Sequence, residues 1–261
     1  MIKALWSFRV FILASIRRDF QSRYQNSLLG ILWPILNPLA TIVVYAVVFS
    51  HVMKAKLPGV EGEFSYSIYL CSGMIVWGVF SDITQGIQKC FVENGNLLKK
   101  LVFPRICLPL IVMGNALINF LIIFVLFCSF LLITNNFPGV VIIAILPIIA
   151  IVLLVTLGLG IFLGVLNVFF RDMSKIYGIF LQFLFWLTPI VYPSNIMPKN
   201  MQYLISLNPL TQLIEAFQTV FLLQHYPAWE SLAYPTIISI LLCALGYVTY
   251  SKLASDMVDG L

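Results

Sequence analysis

The chain has 261 residues, of which 61% are hydrophobic and 10% charged, with a mean hydropathy of +1.01 and a formal net charge of +5. Soluble domains carry about 25% charged residues and under about half apolar ones. The composition therefore excludes an ordinary soluble enzyme, a disordered chain and a nucleic-acid reader, and leaves a polytopic membrane protein of one domain with several spans.

The N-terminal stretch lacks the short apolar core and small-residue cleavage site of a secretory signal. Over residues 3–30, Trp6, Val10, Leu13, Ile16, Phe20, Tyr24 and Leu28 recur at steps of three and four. Lys3, Arg9, Arg18, Asp19 and Arg23 lie mostly off that stripe. The pattern predicts an amphipathic helix lying in the inner membrane interface. Arg17 stands on the apolar side, and two readings stay open for it. It snorkels to the headgroups, or it joins Arg18 and Arg23 in attracting a phosphate-bearing lipid, since guanidinium groups pair with phosphate in bidentate fashion.

A membrane-crossing helix needs about 20 apolar residues. Spans are predicted near 31–52, 66–89, 106–133, 140–169, 176–193 and 232–251. The third and fourth come from one long uncharged run, cut by the turn signal Thr134-Asn135-Asn136-Phe137-Pro138-Gly139. Asp82 is the one ionisable residue well inside a span, and it falls near the inner end of the second.

The inner loop after the second span reads VENGNLLKKLVFPRICLPL (Val92–Leu110). Leu97, Leu98 and Leu101 form an apolar patch beside Lys99 and Lys100, and Phe103-Pro104 ends the segment. A short helix with an exposed apolar edge suits docking to a partner at the inner face. A plain membrane-surface loop fits these residues equally well. In the fourth span Gly160 and Gly164 make a GxxxG pair that permits close helix packing. Arg171-Asp172, just past that span, is expected to cap helix ends at the inner surface.

The outer segment Pro193–Ala228 is too polar to span. Met197, Met201, Leu204 and Ile205 share one helical face, opposite Lys199, Asn200, Gln202 and Ser206. Asn208-Pro209 offers an N-cap followed by proline at the first helical position. Beyond it Leu210, Leu213, Ile214, Phe217, Val220 and Phe221 make an apolar stripe opposite Thr211, Gln212, Glu215 and Gln218. Two short amphipathic helices in tandem predict a re-entrant hairpin over 194–224, buried in protein or lining a cavity. A hairpin lying flat on the outer leaflet is the alternative. Trp33, Trp77, Phe80, Phe183, Phe185, Trp186 and Tyr192 fall in or near spans. Singly, such aromatics pack or mark the interface belt. Together they suit a channel along which apolar sugar faces stack and slide, as bases do on aromatic platforms.

With six spans both termini share a side. If that side is the cytoplasm, the inner segments hold twelve cations (Lys3, Arg9, Arg17, Arg18, Arg23, Lys89, Lys99, Lys100, Arg105, Arg171, Lys175 and Lys252) and the outer ones three (Lys54, Lys56 and Lys199). The positive-inside rule then places both termini in the cytoplasm of a multi-pass inner-membrane protein. The net charge reflects topology and contact with anionic lipid, and implies no nucleic-acid partner.

Several chemistries find no residues to carry them. The chain has no GxxxxGK[ST] phosphate loop, no HExxH and no GxSxG. Its five cysteines show no CxxC and read as small buried apolar residues. His51 and His225 sit in separate loops, so no metal site is expected. Midplane carboxylates of the kind that drive proton- or ion-coupled carriers are absent. If the chain transports, its energy comes from a partner.

The stretch RRDFQSRYQNSLLGILWPILNPL (Arg17–Leu39) resembles the approach to the first span in membrane subunits of polysaccharide and polyol-phosphate ABC exporters, which include O-antigen, teichoic-acid and capsule exporters. The resemblance continues, in order, through VENGNLLKKLVFPRICLPL, FFRDMSK (Phe169–Lys175), LTPIVYPSNIMPKN (Leu187–Asn200) and LNPLTQLIEAFQTVFL (Leu207–Leu222). It is closest to the O-antigen permeases. It implies an all-α permease domain over 1–261: an interface helix, six transmembrane helices and a re-entrant outer helical hairpin between spans five and six. It implies a homodimer with two copies of a separate ABC ATP-binding subunit, which holds the ATP and magnesium; this chain binds no cofactor and is not an enzyme. The segment 92–105, with Glu93, Asn94, Leu97, Leu98, Lys99, Lys100, Phe103, Pro104 and Arg105, would contact the ATPase. Arg17, Arg18 and Arg23 would recruit the pyrophosphate of a polyprenyl-linked glycan. Trp33, Trp77, Phe80, Phe185, Trp186, Tyr192, Met201, Asn208, Pro209, Phe217 and Gln218 would form the channel and outer gate. One departure is visible: the family often has arginine after the aromatic of the second gate helix, whereas Phe217 is followed by Gln218. The rival readings are a teichoic-acid or capsule exporter, an integral-membrane lipid-sugar transferase, and a passive channel.

Overall fold

A computed structural model describes residues 8–22, 32–52, 57, 60, 62–95, 104–254 and 256–257. Nine α-helices are assigned among them: α1 (Arg9–Ser22), α2 (Trp33–Tyr45), α3 (Ser65–Glu93), α4 (Cys107–Ile133), α5 (Ile145–Phe169), α6 (Met173–Leu187), α7 (Lys199–Ser206), α8 (Pro209–Gln218) and α9 (Ala233–Leu253). Short 3₁₀ and π turns extend several of them, and no strand is formed among the described residues. Four stretches are long and apolar enough to cross a membrane: Ser65–Glu93, Cys107–Ile133, Gly139–Phe169 and Trp229–Leu253. Two shorter apolar helices, Trp33–Phe49 and Met173–Leu187, occupy the positions of the first and fifth predicted spans. The chain is built as an integral membrane protein.

The fifth predicted span needs correction. α6 starts at Met173 and stops at Leu187, because Thr188 is extended (ψ 137°) ahead of Pro189. Its 15 residues reach about 22 Å at about 1.5 Å per residue, short of a hydrocarbon core of about 30 Å. Residues 188–193 instead form an irregular segment ahead of α7 and α8.

α3 is the central helix. It is the most polar of the four long stretches and the most enclosed, packing against α2, α4, α5, α6 and α8. That pairing is physically consistent: serine, threonine and glutamine side chains are tolerated at membrane depth where protein, rather than lipid, surrounds them. α5 lies between α3 and α9, and its glycines set the spacing on two sides. A Cβ at Gly158 would fall 2.5 Å from the Cys243 nitrogen of α9. Cβ atoms at Gly160 and Gly164 would each fall 2.9 Å from Ile87 of α3, from its Cβ and its carbonyl oxygen respectively, so the GxxxG pair is a packing face toward α3.

α8 is inserted into this bundle. Leu210, Leu213, Ile214, Phe217, Val220 and Phe221, the predicted apolar stripe, are all buried. Phe221 meets Phe127 of α4 with ring centroids 5.0 Å apart at 69°, within the edge-to-face range aromatic pairs prefer. The start of α8 follows the sequence signal: Asn208 Oδ1 accepts from the Leu210 N–H at 3.0 Å and Pro209 is the first helical residue. α7 is only lightly anchored. Ile205 is buried, while Met201 and Leu204 of the same predicted face are exposed.

α1 packs along α4 on a side that overlaps the predicted stripe at Ile16. Ser15 is buried, Ile16 fits over Gly114, and Asp19 meets Asn115. Val10 and Leu13 are 71% and 65% exposed and share their side of the helix with Arg17. The notch at Gly114 admits Ile16. Trp6, Tyr24, Leu28 and Lys3 lie outside the described residues. Asp172 takes the N-cap position of α6, but its side chain makes no capping hydrogen bond.

Candidate functional site

At one end of the bundle, hydroxyl and amide groups tie the irregular segment after α6 to α3 and α8. The Tyr66 hydroxyl donates to the Val191 carbonyl at 2.6 Å. The Tyr69 hydroxyl faces the carbonyls of Pro189 and Tyr192 at 2.8 and 2.9 Å. Gln218 Nε2 reaches the carbonyls of Tyr69 and Pro189 at 3.4 and 3.3 Å. Asn208 Nδ2 donates to Thr188 Oγ1 at 3.0 Å, and Thr188 in turn donates to the Leu184 carbonyl at 2.7 Å. The Tyr192 hydroxyl donates to the Trp186 carbonyl. The clamp was not legible from spacing, because Tyr66 and Tyr69 bond to residues far along the chain.

The clamp also accounts for the departure at Gln218. The residue is 4% exposed, and a Cβ at Gly73 would already lie 2.9 Å from its Nε2. A neutral amide fills this site, whereas a guanidinium would bring a larger group and a charge with no carboxylate among the hydrogen-bond partners found there. Phe217 and Phe80, expected on a channel surface, are 0% and 2% exposed and belong to the core of the chain, and Gln218 is buried with them. Their apolar bulk is used to seat α8 and α3.

The remaining aromatics do gather. Trp77 of α3 and Phe185 of α6 meet at 5.4 Å and 66°, and Trp186 adjoins Phe185 at 5.4 Å and 82°. Trp77 and Phe185, with Ser81, Gln85, Leu181 and Gln182, line an open cavity of about 270 Å³ between α3 and α6. Trp186 is 60% exposed beside it, and Trp33 stands half-exposed on α2. Aromatic faces next to amide and hydroxyl groups offer a sugar ring both an apolar surface and hydrogen-bond partners. Ser81, Gln85 and Gln182 escaped notice in the sequence, although polar residues inside predicted spans were the available signal.

At the other end of α3, Glu93 is exposed in the last turn. Asn94 folds back, its Nδ2 donating to the Cys90 carbonyl at 2.8 Å. Pro104 and Arg105 lead into α4, and the Arg105 guanidinium donates to the Ala254 carbonyl beyond α9. This bond joins the start of α4 to the end of the last helix. Leu97, Leu98, Lys99, Lys100 and Phe103 lie outside the described residues, as does Arg23. Arg17 and Arg18 are exposed on α1. Arg18 Nε is 4.0 Å from Asp19 Oδ1 across a largely solvent-facing pair, which adds little to stability.

All five cysteines are free thiols, and Cys71, Cys90 and Cys107 are buried. No group of three or more His, Cys, Asp or Glu residues suited to a metal ion occurs among the described residues.

The sequence pattern of the family described as ABC-2 type transporter matches residues 11–222. Among curated relatives, the O-antigen export system permease protein RfbA of Klebsiella pneumoniae is 29% identical over 237 residues, 90% of this chain and 89% of the relative. RfbA of Myxococcus xanthus is 28% identical over 244 residues, 93% of this chain and 92% of the relative. The polysialic acid transport protein KpsM of Escherichia coli is 23% identical over 252 residues, 93% of each.

Proposed function

Because the chain belongs to the ABC-2 type transporter family, we propose that it is the permease subunit of an ATP-driven exporter of O-antigen polysaccharide. The observation that carries this reading is its likeness, over about nine-tenths of its length, to O-antigen export permeases. The cavity lined by Trp77, Phe185, Ser81, Gln85 and Gln182 supports it with a surface chemically suited to a glycan.

The permease works as a homodimer of six-span protomers in the inner membrane, with both termini cytoplasmic. Two copies of a separate ATP-binding subunit supply the energy, in keeping with the lack of a phosphate loop in this sequence. The substrate glycan is carried on a polyprenyl pyrophosphate, which Arg17, Arg18 and Arg23 attract at the inner leaflet. Closure of the ATPases is passed into the membrane through Glu93–Arg105. The Arg105 bond to the end of α9 gives that push a second helix to act on. The protomers part, and the glycan advances past Trp77 and Phe185 between them, while the helices around Ile196–Leu223 form the outer gate.

The double variant Trp77→Ala, Phe185→Ala tests the path. Surface O-antigen is expected to fall at least about tenfold, the scale of one or two lost stacking contacts, with the permease still assembled in the membrane. Undiminished export would remove this cavity from the path. Capsule export is the second reading, favoured by the likeness to KpsM at lower identity over the same length.

A further inference from the structure

Beyond the clamp, a cavity of about 340 Å³ lies among α7, α8, the turn ahead of α7 and the turn ahead of α9. Small-ligand sites span about 300–1,000 Å³. Of its described lining side chains, Ile205 alone is apolar. The others carry hydroxyl or amide groups, except Glu215 of α8, which brings a carboxylate. No lysine or arginine occurs among the described residues that line it.

The local hydrogen bonds leave this cavity rich in acceptors. Ser206 Oγ donates to the Tyr203 carbonyl at 2.7 Å, Ser231 Oγ to the Ala228 carbonyl at 2.7 Å, and Thr211 Oγ1 to the Ile205 carbonyl at 2.9 Å. A hydroxyl has one proton and two lone pairs. With the proton committed to the backbone, each of these groups can only accept. Gln202 commits one amide N–H in the same way, to the Met197 carbonyl at 2.7 Å. An ionised Glu215 also only accepts, and no hydrogen bond or ion pair reaches its carboxylate among the described residues. The Tyr69 hydroxyl, close enough to feel that charge, faces the carbonyls of Pro189 and Tyr192 instead. Protons to give remain on Ser194 and on the amides of Gln202 and Gln212.

Such a lining matches a neutral ligand that brings many donors and some acceptors. An anion is repelled by Glu215. A calcium ion would find one carboxylate where its sites gather several. A sugar ring fits, because each of its hydroxyls gives one proton and accepts in turn. We propose that this cavity binds one sugar unit of the exported glycan, with Glu215 accepting from its hydroxyls and Ser206 and Ser231 accepting from others. The site differs in kind from the cavity of Trp77 and Phe185, which takes a sugar by its apolar face. The irregular segment held by the clamp joins α6, which lines the one, to Ser194, which lines the other. The proposal rests on the export reading for the source of the sugar.

The test uses the full chain, purified with its partners in nanodiscs and without nucleotide. Saturation-transfer NMR measures the binding of maltotriose, mannotriose and triacetylchitotriose. Each is compared with its fully O-methylated form, which keeps the ring and its acceptors and loses the O–H donors. At least one free trisaccharide is expected to bind with a Kd on the order of 1 mM, the scale of a few net hydrogen bonds. Its methylated form should bind about tenfold more weakly. Glu215→Gln should weaken binding about tenfold and Ser231→Ala about threefold, the scales of one charge-assisted and one neutral hydrogen bond, with helical content and assembly unchanged. The Glu215-dependent binding should persist in the Trp77→Ala, Phe185→Ala variant. Absence of binding by all three sugars, equal binding of the methylated forms, or indifference to Glu215→Gln would overturn the proposal. So would loss of the signal with Trp77 and Phe185, which would assign it to the aromatic cavity. Binding is read without ATP or transport, so its failure is distinct from failure of the export reading.

Discussion

Gln218 shows how a single position reports its surroundings. Its amide donates to two carbonyls at 3.3 and 3.4 Å, and both acceptors have further partners, the Pro189 carbonyl among them through Tyr69. Gln218→Leu should therefore cost only about 1 kcal/mol, the net value of ordinary hydrogen bonds. Gln218→Glu sets a carboxylate against the same carbonyl oxygens in a buried site and should cost about 3 kcal/mol or more. Chemical or thermal denaturation in detergent reads both, and equal losses would contradict the clamp geometry. The sequence pointed to this residue only as a departure from a pattern. Its bonding was hidden because Tyr69, Pro189 and Gln218 meet only in the folded bundle. Asn208-Pro209, by contrast, was legible from neighbours alone, since an N-cap and a first-turn proline are local devices.

At the scale of elements, local signals and folded packing part company in the same way. Helices stand at each of the six predicted span positions, and four of them are long enough to cross. Hydropathy registers that directly. The early end of α6 was also written locally, in Thr188-Pro189, but an apolar tail through Val191 masked it. The packed side of α1 was only partly legible, because the seat for Ile16 is Gly114 of α4, far along the chain. Arg17 stands on an exposed side with Val10 and Leu13, as the spacing placed it, a placement that suits a helix lying at the membrane surface with its guanidinium reaching headgroups. Charge reversal of Arg17, Arg18 and Arg23 to Glu should abolish O-antigen export while leaving dimer assembly intact, as read by surface staining and by size in detergent. Export at the original level would sink the recruitment role.

Across the whole molecule, the two helices too short for an easy crossing are α2 and α6, and both carry broad exposed apolar faces. Leu36, Leu39 and Val43 lie exposed on α2, and Ile176, Ile179 and Phe183 on α6. The cavity of Trp77 and Phe185 opens along α6. Lipid or a second protomer would satisfy these faces equally in apolar terms, but only a second protomer closes an aqueous path around that cavity. A homodimer seam along α6 therefore follows from the export reading. That cavity was not visible in the sequence as such. It gathers side chains from two helices about a hundred residues apart, Trp77, Ser81 and Gln85 on one and Leu181, Gln182 and Phe185 on the other, whereas hydropathy and periodicity report on one segment at a time.

The export reading stands or falls on an external engine. The direct measurement is to tag this chain, extract it gently, and determine what nucleotide-binding protein accompanies it and whether the complex hydrolyses ATP. A one-to-one complex with an ABC ATP-binding subunit is expected, with turnover that rises on adding polyprenyl-linked glycan. A stable assembly of this chain alone, indifferent to nucleotide, would contradict powered export and return the passive-channel reading.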